Sequence, residues 1–288
     1  LSSALDAGIN FVDTADVYVN GASERILGKL LKGKRDTVVL ASKVGSPRED
    51  GDPRTSGLNK WHIVKGVEES LKRLQTDCLD ILYLHRPDRS APVEETLDAC
   101  DLLVRQGKVH YIATSNHSSW KMMELELKSE SKGYVRPSVM QVPYNLITRS
   151  IEDECLEYSD THGVGVVVYN ALAGGLLTGK HSAERPIEGS RFDYSPMYYD
   201  RYWNGTNFQA IEALKQVAAH ADITLPELSF RWLAGRTQVD SILVGASSLS
   251  QWEQNLGALN GGNLEDEILE ACDHVWNQVR GGHFLYYR

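Results

Sequence analysis

The segment Gly8-Ile9-Asn10-Phe11-Val12-Asp13-Thr14-Ala15-Asp16-Val17-Tyr18 decides the fold. Its apolar core, Ile9 to Val12, reads as a short strand that ends on a carboxylate and turns into a loop carrying a phenol. The same kind of unit recurs along the chain. Further strands are predicted at Thr37 to Leu40, Leu79 to Leu84, Val109 to Ala113, Val139 to Val142, Val164 to Tyr169 and Ser241 to Val244. Between them apolar residues return at helical spacing: Ile26, Leu27, Leu30 and Leu31, then Ile63, Val67, Leu71 and Leu74, then Leu97, Cys100, Leu103 and Val104. Later faces are Phe208, Ile211, Leu214 and Val217, and, beyond the last strand, Ile268, Cys272, Val275 and Val279. Repeated βα units imply a parallel sheet covered by helices.

Two parallel architectures compete. No Gly-x-Gly-x-x-Gly follows an early strand, so the doubly wound dinucleotide fold lacks its phosphate turn and a (β/α)8 TIM barrel is expected. Such a barrel needs an eighth strand. Ser2 to Ala7 reads as the remnant of the helix after the first strand, so the chain is expected to lack that strand. At 288 residues and 42% hydrophobic content it is long enough for a single barrel domain spanning 1–288.

Acidic residues outnumber basic ones, 39 to 30, which disfavours nucleic acid and anionic membrane and points to a small-molecule ligand. No apolar run reaches the length of a membrane span and no signal segment opens the chain, so a soluble, cytoplasmic protein is expected. Cys78, Cys100, Cys155 and Cys272 lie far apart and read as reduced thiols, without disulfide or zinc spacing. The stretch from His181 to Gly205 reads as a long Pro- and Tyr-rich loop, a candidate lid, and the aromatic tail from Gly281 to Arg288 is expected to dock on something.

In a barrel the chemistry gathers at the carboxyl ends of the strands. There the sequence places Asp13, Tyr18, Lys43 and His85, followed by Ser115, Asn116 and Gln141. Each alone has an ordinary structural reading, as a cap, a surface ring, a solvated cation or a core histidine. As an ordered series they form an acid–base set. A phenol of pKa about 10 needs a nearby cation to trade a proton near neutrality. Lys43 would be that cation, Asp13 would hold it, and His85 would hydrogen-bond a substrate carbonyl. Further on, Gly245-Ala246-Ser247-Ser248 leads into a helix whose amino terminus suits a phosphate.

These segments resemble the aldo-keto reductase motifs, in the order that superfamily uses: Gly8 to Tyr18, Ala41-Ser42-Lys43, Tyr83-Leu84-His85 and Thr114-Ser115-Asn116. Arg73-Leu74-Gln75, Pro92 to Leu97, Tyr144 to Arg149, Ala173 to Lys180, Arg201-Tyr202-Trp203 and Ser247 to Asn255 resemble its aflatoxin-aldehyde reductase branch. The resemblance implies a catalytic tetrad of Asp13, Tyr18, Lys43 and His85, with Tyr18 as general acid, and NADPH as cofactor. It places the carboxamide on Ser115, Asn116 and Gln141 and the nicotinamide ring on Tyr169. A loop of Asn170, Leu172, Gly174, Leu177, Gly179 and Lys180 would fold over the pyrophosphate. Gly245, Ser247, Gln251, Gln254 and Asn255 would bind the adenosine phosphates, and Arg191 and Arg201 suit a 2′-phosphate.

Tyr198 and Arg288 match the branch's substrate-binding tyrosine and terminal arginine, implying aldehydes that bear a carboxylate. The branch also implies a possible homodimer and roles in detoxification or secondary metabolism. Three positions depart from it: Ala171 replaces a proline, His117 a common tyrosine and Arg86 a methionine.

Other readings weigh less. A Schiff-base aldolase would leave the nucleotide loop unexplained, and the nine histidines show no paired metal-ligand spacing. A cofactor-binding accessory subunit with little turnover is the alternative, because such subunits also retain the tetrad. A degenerate product that folds poorly is a third.

Overall fold

The structure, a computed structural model, describes residues 1–47 and 53–281. They fall into two compact units, one within 1–142 and 158–165, the other within 143–157 and 166–281. In chain order the elements are α1 (Ser2–Asp6), β1 (Phe11–Asp13), α2 (Ala22–Leu30), β2 (Val39–Val44), α3 (Lys60–Leu74), β3 (Leu79–Leu84), α4 (Val93–Arg105), β4 (Val109–Ser115), α5 (Ser119–Lys132) and β5 (Val139–Pro143). There follow α6 (Cys155–His162), β6 (Gly165–Tyr169), α7 (Arg191–Tyr194), α8 (Pro196–Tyr202), α9 (Gly205–His220), α10 (Leu225–Ala234), β7 (Ser241–Ile242), α11 (Leu249–Leu259) and α12 (Asp266–Arg280).

In the first unit β1 to β5 pair in chain order and in parallel, with Asp13 opposite Ala41, Lys43 opposite Tyr83, Tyr83 opposite Ala113 and Ser115 opposite Gln141. In the second unit β6 and β7 pair the same way. Sequential parallel pairing is the connectivity of the (β/α)8 barrel; a doubly wound sheet reverses its strand order. The described residues hold seven strands, the count expected of such a barrel without one strand.

The helices bury the faces that the sequence pattern marks, with one exception. Ile63, Val67, Leu71 and Leu74 of α3 and Cys100 and Leu103 of α4 join Leu40, Leu79 and Leu82 in one core, and Leu97 of α4 is also buried. On α2 the predicted face is split: Leu27 packs against this core and Leu31, just past the helix, is buried in it, but Ile26 and Leu30 are exposed, and Glu24 and Gly28 are buried. The reason is local. Gly28 lies where an added Cβ would come within 2.6 Å of the Arg73 carbonyl, so its bare backbone lets α2 press onto the end of α3. Fully buried Glu24 is matched by Arg73 Nε at 2.6 Å and the Ser42 hydroxyl at 2.6 Å.

Six of the seven predicted strands also shift at one end or both: the first runs from Phe11 to Asp13, the fifth reaches Pro143 and the sixth starts at Gly165. The second strand starts at Val39 and runs to Val44, because Arg35–Thr37 forms a 3-10 turn; the fourth continues to Ser115; the last stops at Ile242. The stretch read as a loop from His181 to Gly205 contains α7 and α8, ordered by Phe192 and Tyr202, which are buried. His181, Phe192, Trp203 and Phe208 form a chain of ring contacts with centroids 4.9–5.6 Å apart. The tail beyond Gly281, including Arg288, lies outside the described residues. Among the described residues no helix is long and apolar enough to cross a membrane, and no cluster of ligands suits a metal. All four cysteines are free, and burial pushes the thiols of Cys100 and Cys272 up to about 12.

Candidate active site

The first unit brings the four predicted acid–base residues together. Strand-like hydrogen bonding continues past β1, from Thr14 N to Ala41 O at 3.0 Å and from Asp16 N to Lys43 O at 3.1 Å, so the loop toward Tyr18 leaves the sheet in a fixed direction. His85 follows β3 directly and donates its amide to Val44 O at 2.9 Å.

Lys43 is 1% exposed and donates to Asp13 Oδ1 and, at 2.9 Å, to Thr14 O. Burial pulls its ammonium below the ordinary 10.5, and the Asp13 charge, its hydrogen bond and the Asp16 charge push back. Asp13 Oδ2 accepts from Gln141 Nε2 at 2.9 Å. The ammonium lies 5.0 Å from the centroid of the Tyr18 ring and 5.6 Å from that of Tyr83. Tyr18 and His85 meet edge to face, with centroids 5.8 Å apart. Tyr18 is 40% exposed, so its ring reaches solvent while its neighbour Lys43 does not. Burial, then the charges of Lys43 and Arg86, push His85 down to about 4, which leaves the ring neutral near pH 7.

Ser115, Asn116 and Gln141 sit beside this group. Asn116 has φ +61°; its amide donates to Gln141 O at 3.0 Å, and its Nδ2 to His85 O at 3.1 Å and Ser115 Oγ at 3.0 Å. Of the three departures, Ala171 and His117 are buried and Arg86 is exposed. The sequence reading missed three contributors to the Lys43 environment: the Thr14 carbonyl, buried Asp16 and fully buried Tyr83. Tyr83 carried a usable signal, since residues two apart on a strand share a face and His85 is two positions on.

In the second unit Tyr169 closes β6, and burial pushes its phenol up to about 12 while Arg201 pulls the other way. Asn170 follows at φ +67° and organises the next loop. Its Oδ1 accepts from Gly174 N at 2.7 Å, and its Nδ2 donates to the Tyr202 hydroxyl at 2.6 Å. The backbone turns left-handed at Gly174 and Gly175, and a Cβ on Gly174 would stand 2.7 Å from the Tyr198 ring. Leu177 is fully buried and its amide is taken by Leu172 O, so its side chain serves the core. Lys180 is exposed, after Gly179 at φ +70°. Arg191 lies 4.9 Å over the Tyr198 ring, and Tyr198 stacks toward Tyr202.

Gly245 precedes α11, whose cap is Ser248, accepting from Gln251 N at 3.2 Å. Gln251 Oε1 accepts from the amide and hydroxyl of Ser247 at 3.0 and 2.8 Å, and Asn255 Nδ2 reaches Gly245 O at 3.4 Å. Ser247, Gln251 and Gln254 are exposed.

Comparison with known proteins gives the family of the chain. The family model described as "Aldo/keto reductase family" matches residues 1–277. The chain is 37% identical to "Aflatoxin B1 aldehyde reductase member 2" of Rattus norvegicus, over 96% of this chain and 78% of that protein. It is 35% identical to "Aldo-keto reductase family 7 member A3" of Homo sapiens, over 96% and 87%. A "Probable voltage-gated potassium channel subunit beta" of Arabidopsis thaliana is 34% identical, over 90% and 80%.

Proposed function

Because the chain belongs to the aldo/keto reductase family, we propose that it is an NADPH-dependent oxidoreductase that reduces aldehydes, or ketones, to alcohols with Tyr18 as general acid. The observation that carries this is the buried Lys43 ammonium, neutralised by Asp13 and seated against the Tyr18 ring. As Tyr18 gives up its proton to the carbonyl oxygen, negative charge grows on the phenol, and a fixed cation in a water-poor setting stabilises it. His85 acts from the other side of that oxygen. Its Nδ1 is buried without a hydrogen-bond partner, which favours the tautomer that carries its proton on Nε2 and offers it to the substrate.

The donor chemistry fits the cofactor. Amide and hydroxyl groups of Ser115, Asn116 and Gln141 suit a carboxamide, Tyr169 an aromatic ring, and the amino terminus of α11 with Ser247, Gln251, Gln254 and Asn255 suits phosphate. Gly245 stands open at that entry, with no atom within 4 Å of where a Cβ would be. Asn170, Leu172, Gly174, Leu177, Gly179 and Lys180 would form the loop over the pyrophosphate. Exposed Arg191 and Arg201 favour NADPH over NADH through the extra phosphate. When bound, the reduced nicotinamide supplies the hydride.

On the same family likeness we take the chain as one domain, cytoplasmic and capable of homodimerising, in detoxification or secondary metabolism. Tyr198 and Arg288 would select carboxylate-bearing aldehydes. The potassium-channel relative's name supports one second reading, a cofactor-binding subunit with little turnover. The test is loss of NADPH absorbance with 4-nitrobenzaldehyde or succinic semialdehyde, in the wild type and Tyr18→Phe. Turnover that falls about 10²–10⁴-fold in the variant, with NADPH binding retained, supports the reading. Binding without turnover in the wild type favours the subunit, and equal loss of binding and turnover in Tyr18→Phe contradicts the role of the phenol.

A further inference from the structure

We propose that His117 is a positioning residue, whose ring hydrogen bond fixes the turn that ties Asn116 to His85. This rests on the reading of His85 and Asn116 given above, but the geometry stands apart from it. β4 ends at Ser115, and the next residue must leave the strand at once, which Asn116 does at φ +61°. Asparagine tolerates that conformation better than most residues, yet it persists only where the surroundings hold it. Asn116 is then the junction of three strand ends, through its bonds to Gln141 O, His85 O and Ser115 Oγ.

His117 closes this turn from the far side. It is 4% exposed, and its Nδ1 lies 2.8 Å from Ser115 O, the carbonyl two residues back. A carbonyl can only accept, so Nδ1 must carry the proton. The ring is neutral near pH 7, because burial outweighs the pull of that hydrogen bond and brings it down to about 4 with help from the Lys121 charge. The δ nitrogen adjoins the ring carbon nearest the backbone, which is why it can reach so short a span. A tyrosine, common here in the resembling branch, has its hydroxyl at the wrong end of the ring. Without the Nδ1 bond, Ser115 O is left unpaired inside the protein and Asn116 is free to relax toward an ordinary strand conformation. The grip on His85 through its carbonyl would loosen with it.

The experiment compares wild type with His117→Phe, which keeps shape and loses the donor, and His117→Asn, whose Nδ2 offers a donor at the same short reach. Amide hydrogen exchange at Asn116 should speed up about tenfold in His117→Phe, the effect of losing one buried hydrogen bond, and NADPH should bind about tenfold more weakly. Both should move back toward wild type in His117→Asn. In the unmodified protein, ring ¹⁵N shifts should show the Nδ1–H tautomer between about pH 5 and 8. An Nε2–H tautomer overturns the proposal. So does a lower melting temperature in His117→Phe with Asn116 exchange unchanged, because that pattern marks a residue that merely fills space. If the wild type neither binds nor oxidises NADPH, the proposed function fails, while tautomer and exchange still decide the role of His117.

Discussion

Replacing Asp13 with asparagine tests the electrostatic core of the site. The substitution keeps shape and one acceptor but removes the charge that faces Lys43, leaving a 1% exposed ammonium to the Thr14 carbonyl and the more distant Asp16. Removing one partner of a buried ion pair costs about 3–5 kcal/mol, and the retained acceptor places Asp13→Asn near the lower end. At roughly 2–4 °C per kcal/mol for a chain of this size, the melting temperature should fall by about 6–12 °C near neutrality.

The pH dependence is more diagnostic. Burial already holds Lys43 below 10.5 in the folded protein, so between its folded value and 10.5 the unfolded chain binds more protons and stability rises with pH. Asp13→Asn lowers the folded value further. Its deficit should therefore be largest below the variant's folded value and shrink as pH climbs to the wild-type folded value. The alkaline limb of kcat/KM should move toward lower pH for the same reason. Melting curves and rates from neutral to alkaline pH decide the matter; a deficit that stays constant, with an unmoved alkaline limb, would refute the reasoning.

Two further outcomes follow from the packing and from the histidines. Gly28→Ala should destabilise by about 1–3 kcal/mol, because its Cβ meets backbone of Arg73 and Leu74 at 2.6–2.7 Å; Gly257→Ala, also helical but with open space around it, should be neutral or stabilising in the same denaturant melts. His85 and His117 lie at about 4 when folded against 6.5 unfolded, so the folded state binds fewer protons in that window. Stability present above pH 6.5 should be lost as pH falls to about 4, by a few kcal/mol, and a flat acid profile would count against the burial of both rings.

The case of α2 shows where sequence patterning stops. Apolar spacing reads correctly on α3, where Ile63, Val67, Leu71 and Leu74 face a sheet and burial is a matter of oil against oil. On α2 the buried positions are a carboxylate and a glycine. Each is there for a partner some 45 to 49 residues away in sequence, the Arg73 guanidinium for Glu24 and its carbonyl for Gly28. Periodicity scores side chains by their own hydrophobicity, so it has no means to recognise a residue made suitable by what it meets. The two helices inside the stretch read as a loop were missed for a related reason: α7 and α8 are too short to show a helical period, and their order comes from Phe192 and Tyr202 packing inward.

The candidate site was legible to a different depth. Asp13, Tyr18, Lys43 and His85 could be singled out because a barrel places its chemistry at strand ends, and those residue types are rare there by accident. What makes them useful was not legible. A lysine at a strand end is ordinarily solvated, and only burial turns its charge into a local field strong enough to act on a neighbouring phenol. That burial comes from neighbours in the sheet: Tyr83, the register partner of Lys43, and Ala113, the register partner of Tyr83, are fully buried in one cluster with Ala41. Small side chains at Ala41 and Ala113 leave room for the long Lys43 stem and the Tyr83 ring on the same face. The candidate acid–base residues are thus written at the ends of the strands, while their surroundings are set two residues earlier, by packing that a sequence displays only as alanines and a tyrosine.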